Sequence, residues 1–212
     1  MSRPDSGARL DSGQRQTLLD IARRAIAQGV AKREPLEVEV PAGALGEPAG
    51  AFVTLRRGKR LRGCIGRLAS GEPLARVVAM AAVSSALEDP RFEATRPEEL
   101  SDLEIEISIL SVFEAIAPAD VRPGIHGLMI QRGSNRGLLL PQVAAEYNWN
   151  AERFLEETCS KAGLPRDAWR NSETRIFAFT AEVFSDRDFV KNKTVENKAE
   201  ENKSGANSTS AP

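Results

Sequence analysis

The chain has 212 residues, 41% of them hydrophobic and 28% charged, which is enough for one generous domain or a domain with a smaller companion. Lysine plus arginine (29) nearly cancels aspartate plus glutamate (30), so no global field advertises nucleic acid or a membrane surface. No apolar run approaches the ~20 residues that span a bilayer, and "MSRPDSGARLDSGQ" lacks the apolar core of a signal peptide.

Residues 1–13 read as a flexible lead-in. Residues 12–30 predict an amphipathic helix, with Ser12 as N-cap, Leu18, Leu19, Ile21, Ala22, Ala25 and Ile26 on one side, and Gly29 at its end. A loop rich in Pro, Gly and Ala follows, with a short strand at "LEVEV" (36–40). "AFVTLRR" (51–57) and "RLRGCIG" (60–66) predict a hairpin turning near Gly58, and Pro73 opens a helix over 73–87 that "EDPRF" stops. In "DLEIEISIL" (102–110), Leu103, Ile105, Ile107 and Ile109 alternate with polar residues, the period of a half-buried strand. "HGLMIQRG" and "GLLLPQV" predict a second hairpin around "GSNR", 151–163 a helix closed by Gly163, and 175–184 a last strand with imperfect alternation. From about residue 187 the composition is polar and repetitive, and a disordered tail is expected. Its three Asn-x-Ser/Thr matches (Asn192, Asn202 and Asn207) carry no weight without a secretory signal. Hairpins outnumber β-helix-β alternations, which predicts an α+β fold, mainly an antiparallel sheet flanked by helices. No Gly-rich phosphate loop follows a strand, so no nucleotide cofactor is called for.

The two cysteines, Cys64 and Cys159, have no metal-type spacing, and with one histidine in the chain a zinc site would need carboxylates. Both therefore read as reduced thiols of a cytoplasmic protein, and no metal is expected. Cys159 reads as packing.

Cys64 sits in "KRLRGCIGRL", between glycines and among six cations (Arg56, Arg57, Lys59, Arg60, Arg62 and Arg67) with no acid interleaved. Two signals conflict over which face carries it. Turn chemistry favours a two-residue loop at Gly58-Lys59, which buries Cys64 beside Val53 and Leu55. Hydrophobic patterning favours a three-residue loop, Gly58 to Arg60, which puts Val53, Leu55, Leu61 and Ile65 on one face and Thr54, Arg56, Arg62 and Cys64 on the other. The second is adopted. Arg62 then lies roughly 6.6 Å from Cys64 along the strand, and through a dielectric near ~40 it favours the thiolate by about one pKa unit. Gly63 and Gly66 would let a ligand or another backbone approach the sulphur. Against this, free cysteine is among the most buried residue types, and a lone histidine such as His126 is more often structural than catalytic. The cations could also hold an anion. Nucleic acid is unlikely, because only Phe52 is near enough to stack a base.

"LRGCIG", "EDPRF", "LEIEISIL", "HGLMI" and "RGLLLPQVAAEYNW…FLEETCSKAGL" together resemble the AMMECR family, whose prokaryotic members are called AmmeMemoRadiSam system protein A. The likeness runs from about 14 to 186. It implies an α+β domain of two unequal lobes with a cleft near the "LRGCIG" strand, and a Memo-like protein and a radical S-adenosylmethionine enzyme as partners. It supplies no reaction. The motif falls on Leu61, Arg62, Gly63, Cys64, Ile65 and Gly66. The expected site therefore has Cys64 as nucleophile, Arg62 as its activator or an anion holder, and His126 as the available base, with Leu61, Gly63, Ile65 and Gly66 lining a ligand. The alternative is a non-catalytic adaptor that docks a partner protein or an anionic small molecule on the basic hairpin and cleft.

Overall fold

A computed structural model describes residues 10–32, 36–68 and 71–189. The expected tail, its Asn-x-Ser/Thr matches and most of the N-terminal lead-in lie outside them. The elements in chain order are α1 (Ser12–Lys32), β1 (Gly50–Arg57), β2 (Arg60–Arg67), α2 (Leu74–Leu87), β3 (Leu103–Leu110), β4 (Glu114–Ala115), β5 (Gly127–Arg132), β6 (Asn135–Leu139), α3 (Pro141–Glu146), α4 (Ala151–Lys161), β7 (Arg175–Phe179) and β8 (Ala181–Ser185). The fold is α+β, with two four-stranded sheets rather than one: β2-β1-β3-β8 and β4-β7-β5-β6.

The chain divides into two compact units. One spans residues 9–108 and from 183 onward, the other chiefly 109–182. In the first, α1 packs on α2, and α2 lies across β1 and β2. Leu18, Leu19, Val53, Leu55, Val77, Ile105 and Ile107 form its dry interior, each such side chain contributing ~1.5–3 kcal/mol by leaving water. In the second, Leu128, Ile130, Phe154, Leu155 and Cys159 form the core, under Trp149 and Trp169. Cys159 is completely buried, as packing requires.

Local chemistry corrects several boundaries. Asp11, not Ser12, caps α1: its carboxylate accepts the Gln14 N–H at 2.8 Å, and Gln14 Oε1 accepts the Asp11 N–H at 3.0 Å, a reciprocal capping box. Gly29 does not end α1. The helix runs on to Lys32, and a Cβ at Gly29 would come within 3.1 Å of Val83, so its small size serves close packing on α2. "LEVEV" is extended yet belongs to no sheet. "GLLLPQV" is not a strand throughout, because β6 stops at Leu139 and Pro141 begins α3. The imperfect strand 175–184 is two strands broken at Thr180, and β7 and β8 belong to different sheets. At the break Thr180 pairs with Ser111 instead: Thr180 O accepts Ser111 N–H and Ser111 Oγ accepts Thr180 N–H, both at 2.9 Å.

Candidate functional site

The hairpin obeys both conflicting signals, at different ends. Arg57 pairs with Arg60 around a two-residue turn in which Gly58 takes φ +61°, so the three-residue loop is incorrect. Beyond the turn, Val53 faces Ile65, Thr54 faces Cys64 and Leu55 faces Gly63, the register that hydrophobic patterning demands. A shift between Leu55 and Arg56 reconciles them: Leu61 and Gly63 find partners and Arg62 is the extra residue of a bulge. Cys64 therefore lies opposite Thr54, away from α2.

The glycines of the motif face protein. A Cβ at Gly63 would lie 2.0 Å from Ser85 O, so this glycine exists to let the α2 backbone touch β2. A Cβ at Gly66 would lie 2.4 Å from both Ala51 O and Phe52 Cγ. No room for a side chain is left on that side of either residue. The close approach at Gly63 brings the Ser85 hydroxyl between the strands. Ser85 Oγ accepts Ile65 N–H at 2.8 Å and donates to Val53 O at 2.7 Å, and the residue is 1% exposed. Leu61 and Ile65 are half-buried in the strand.

β2 is the outer strand of its sheet, and the segment after α2 covers its edge at Cys64. The buried Asp89 carboxylate accepts Cys64 N–H at 2.9 Å. It also accepts Arg91 N–H at 3.1 Å and the Arg91 guanidinium at 2.9 and 2.7 Å. Arg91 Nη2 reaches back to Cys64 O at 3.4 Å. These donors hold the Asp89 carboxyl far below the usual carboxylate range, the Arg91 hydrogen bonds contributing most. Both outward main-chain groups of Cys64 are thus engaged, which closes the edge to another strand.

Arg62 does not serve Cys64. Its Nε and Nη2 donate to the two oxygens of Glu99, each at 3.0 Å, and Nη1 donates to Glu93 O at 2.7 Å. The pair is largely buried, with side chains 15% and 11% exposed. Glu99, in the 3₁₀ turn Pro97–Asp102, also accepts Arg96 N–H at 2.9 Å. These contacts, the Arg62 hydrogen bond first, lower its pKa to about 2. A guanidinium so neutralised exerts little field on a neighbour, and the expected activation of the thiol by Arg62 is not what the residues do.

The Cys64 thiol is half-buried, and burial pushes its pKa up. A hydrogen bond from Thr54 Oγ1 at 3.3 Å and the charge of Arg91 oppose the rise, while Asp89 and Glu106 add to it. His126 belongs to the other unit, where its Nδ1 accepts Arg122 N–H at 3.3 Å. Burial, then Arg122, hold its pKa below the ordinary imidazole value. Among the described residues no three His, Cys, Asp or Glu side chains gather in a way that could hold a metal ion.

Sequence reasoning placed Thr54 on the face of Cys64 but missed Asp89, Arg91, Glu99 and Ser85. The signal for the acids was the unbalanced charge itself: cations on a half-buried strand require carboxylates from elsewhere. "EDPRF" carries one of them, beside its own arginine, immediately after a helix.

At the hairpin tip, Lys59 and Arg60 are exposed, and they and Arg56 have no ionic partner among the described residues. Arg57 is paired with Asp102 at 2.9 Å. No helix among the described residues is long and apolar enough to cross a membrane.

The chain is similar to known proteins over most of its length. A protein of Methanothermobacter thermautotrophicus is 43% identical over 188 residues, covering 84% of this chain and 97% of its own. One from Thermococcus gammatolerans is 43% identical over 183 residues, covering 80% and 88%. The crystal structure of the uncharacterized protein PH0010 from Pyrococcus horikoshii superposes with a TM-score of 0.74 at 40% identity, over 79% of this chain and 89% of that one. The AMMECR1 family model matches residues 19–184, a span that takes in both sheets, the clamped cysteine and the Arg62–Glu99 pair, and the chain belongs to the AMMECR1 family.

Proposed function

We propose that the chain is a cytoplasmic, non-catalytic adaptor that docks an acidic surface on the tip of the β1–β2 hairpin. Its partners are the Memo-like protein and the radical S-adenosylmethionine enzyme of the AmmeMemoRadiSam system implied by the resemblance. One contrast carries the reading. The cations near Cys64 are consumed internally, Arg62 by Glu99 and Arg91 by Asp89. Arg56, Lys59 and Arg60 have no such partner among the described residues. Unpaired surface cations steer and orient an acidic partner without desolvating a buried pair. The test is binding of the two purified partners to the immobilised chain. Lys59→Glu with Arg60→Glu weakens association at least tenfold and flattens its salt dependence. Unchanged binding refutes the hairpin as the docking surface.

A second reading, a thiol-dependent accessory enzyme with Cys64 as nucleophile, Arg62 at its side and His126 as base, has one observation in its favour. Thr54 Oγ1 and Arg91 both favour the Cys64 thiolate. Metabolite profiles of cells carrying Cys64→Ala decide it: a profile matching the deletion supports a reaction at the sulphur, and a wild-type profile removes it.

A further inference from the structure

One concavity of the first unit lies away from Cys64. It is a groove of about 690 Å³ between α2, the end of α1 near Gly29, and the extended segment at Leu36–Val38. That volume falls within the ~300–1,000 Å³ of ordinary ligand sites. Ala79, Met80, Val83 and Leu87 supply an apolar wall from one side of α2. Met80 and Val83 are only half-buried.

The segment on the opposite wall is a strand in all but its pairing. Residues 36–40 alternate Leu-Glu-Val-Glu-Val, are extended, and alternate half-buried with exposed along their length. Their main-chain N–H and C=O groups make no hydrogen bond among the described residues. An extended run with β-branched alternation and unsatisfied backbone groups, set against an apolar wall, is half of a two-stranded pairing. The charged lining of the groove is Arg67 and Arg76 together with Glu37, Glu72 and Glu88. Arg76 shares Glu72 at 3.8 Å, whereas Arg67 is exposed and has no partner among the described residues.

We propose that this groove binds an extended peptide, which adds as a strand to residues 36–40, lays alternate apolar side chains on Met80 and Val83, and sets an acidic residue against Arg67. A helical ligand fits less well, because it satisfies its own main chain and leaves that of 36–40 unpaired. The proposal stands on the groove alone. It goes beyond the hairpin reading, since charge reversal at Lys59 and Arg60 leaves this site untouched.

The experiment uses the full-length labelled chain on an array of immobilised decapeptides of equal composition. One set has apolar residues at every second position and an acidic end, one has them at helical spacing, and one is scrambled. A fourth repeats the first with alternate amides N-methylated. Retention at least tenfold higher on the first set than on the other three supports the site. Equal retention across the sets, or preference for helical spacing, overturns it. Arg67→Glu shifts preference at least tenfold from acidic-ended to lysine-ended peptides, and Met80→Glu abolishes retention while circular dichroism stays unchanged. Should Arg67→Glu and Met80→Glu both bind as the wild type does, the groove is not the binding surface.

Discussion

Replacing Gly63 by alanine tests the central packing contact directly. The new methyl carbon would stand 2.0 Å from Ser85 O and 2.9 Å from Ser85 C, both main-chain atoms of a fourteen-residue helix that cannot swing aside like a side chain. Real Cβ contacts essentially never fall below 3.0 Å, so α2 must retreat by roughly 1 Å. Moving Ser85 by that amount stretches its 2.8 and 2.7 Å hydrogen bonds to Ile65 and Val53 to about 3.8 Å, beyond hydrogen-bonding range. Two buried backbone groups then lose their bridge at ~1–3 kcal/mol each, giving a total of about 2–6 kcal/mol. For a chain of this size the melting temperature falls by roughly 4–24 °C. Thermal unfolding followed by circular dichroism reads the drop, and amide exchange at Ile65 locates it. Ser85→Ala loses the same two bonds without the clash, so it shows the same exchange effect with a comparable fall. A Gly63→Ala protein melting within 2 °C of wild type would refute the claim that this glycine is required by helix contact.

Iodoacetamide labelling of Cys64 gives a rate midpoint above the ~8.5 of a free thiol, because burial raises its pKa. A folded value above the unfolded one also means that its stabilising contribution is complete below ~8.5 and is lost as pH rises through the folded value; a midpoint at or below 8 contradicts this. Glu99 has the opposite sign: its pKa, lowered to about 2, makes its contribution complete above the unfolded ~4.3 and lost as pH falls toward 2. Glu99→Gln flattens that acid limb in urea titrations, and an unchanged limb refutes the assignment. Arg62→Ala strands a largely buried carboxylate and costs ~3–5 kcal/mol, while Arg62→Met with Glu99→Met costs less than either single change, measurable as a double-mutant cycle. Asp89→Ala frees the outer edge of β2, seen as faster amide exchange at Cys64.

The hairpin shows how far residue patterns reach. Gly58-Lys59 dictated the turn and Val53, Leu55 and Ile65 dictated the register, and each pattern was sound over its own few residues. What neither contained was the bulge at Arg62 that satisfies both, because a bulge is the product of two local preferences meeting. The fate of Arg62 was hidden for a different reason. Its partner Glu99 lies 37 residues away, and no spacing rule connects a strand to a 3₁₀ turn at that distance. The glycines of "LRGCIG" were recognised as sites of close approach, but whether a ligand or a helix approaches depends on tertiary packing alone. The stretch 175–184 announced its break through faulty alternation, yet only hydrogen-bonded pairing assigns its halves to separate sheets.

That division of a ten-residue stretch has a consequence for biosynthesis. Strand β3 acquires β8 as its neighbour only after residues 109–182, the whole body of the other unit, have left the ribosome. At ~5–20 residues per second this is a delay of roughly 4–15 s. Throughout it the nascent chain carries an unfinished sheet whose apolar strand "LEIEISIL" has one bare flank. A product released before residue 183 keeps that flank for good, which makes premature termination ahead of β8 a cause of aggregation.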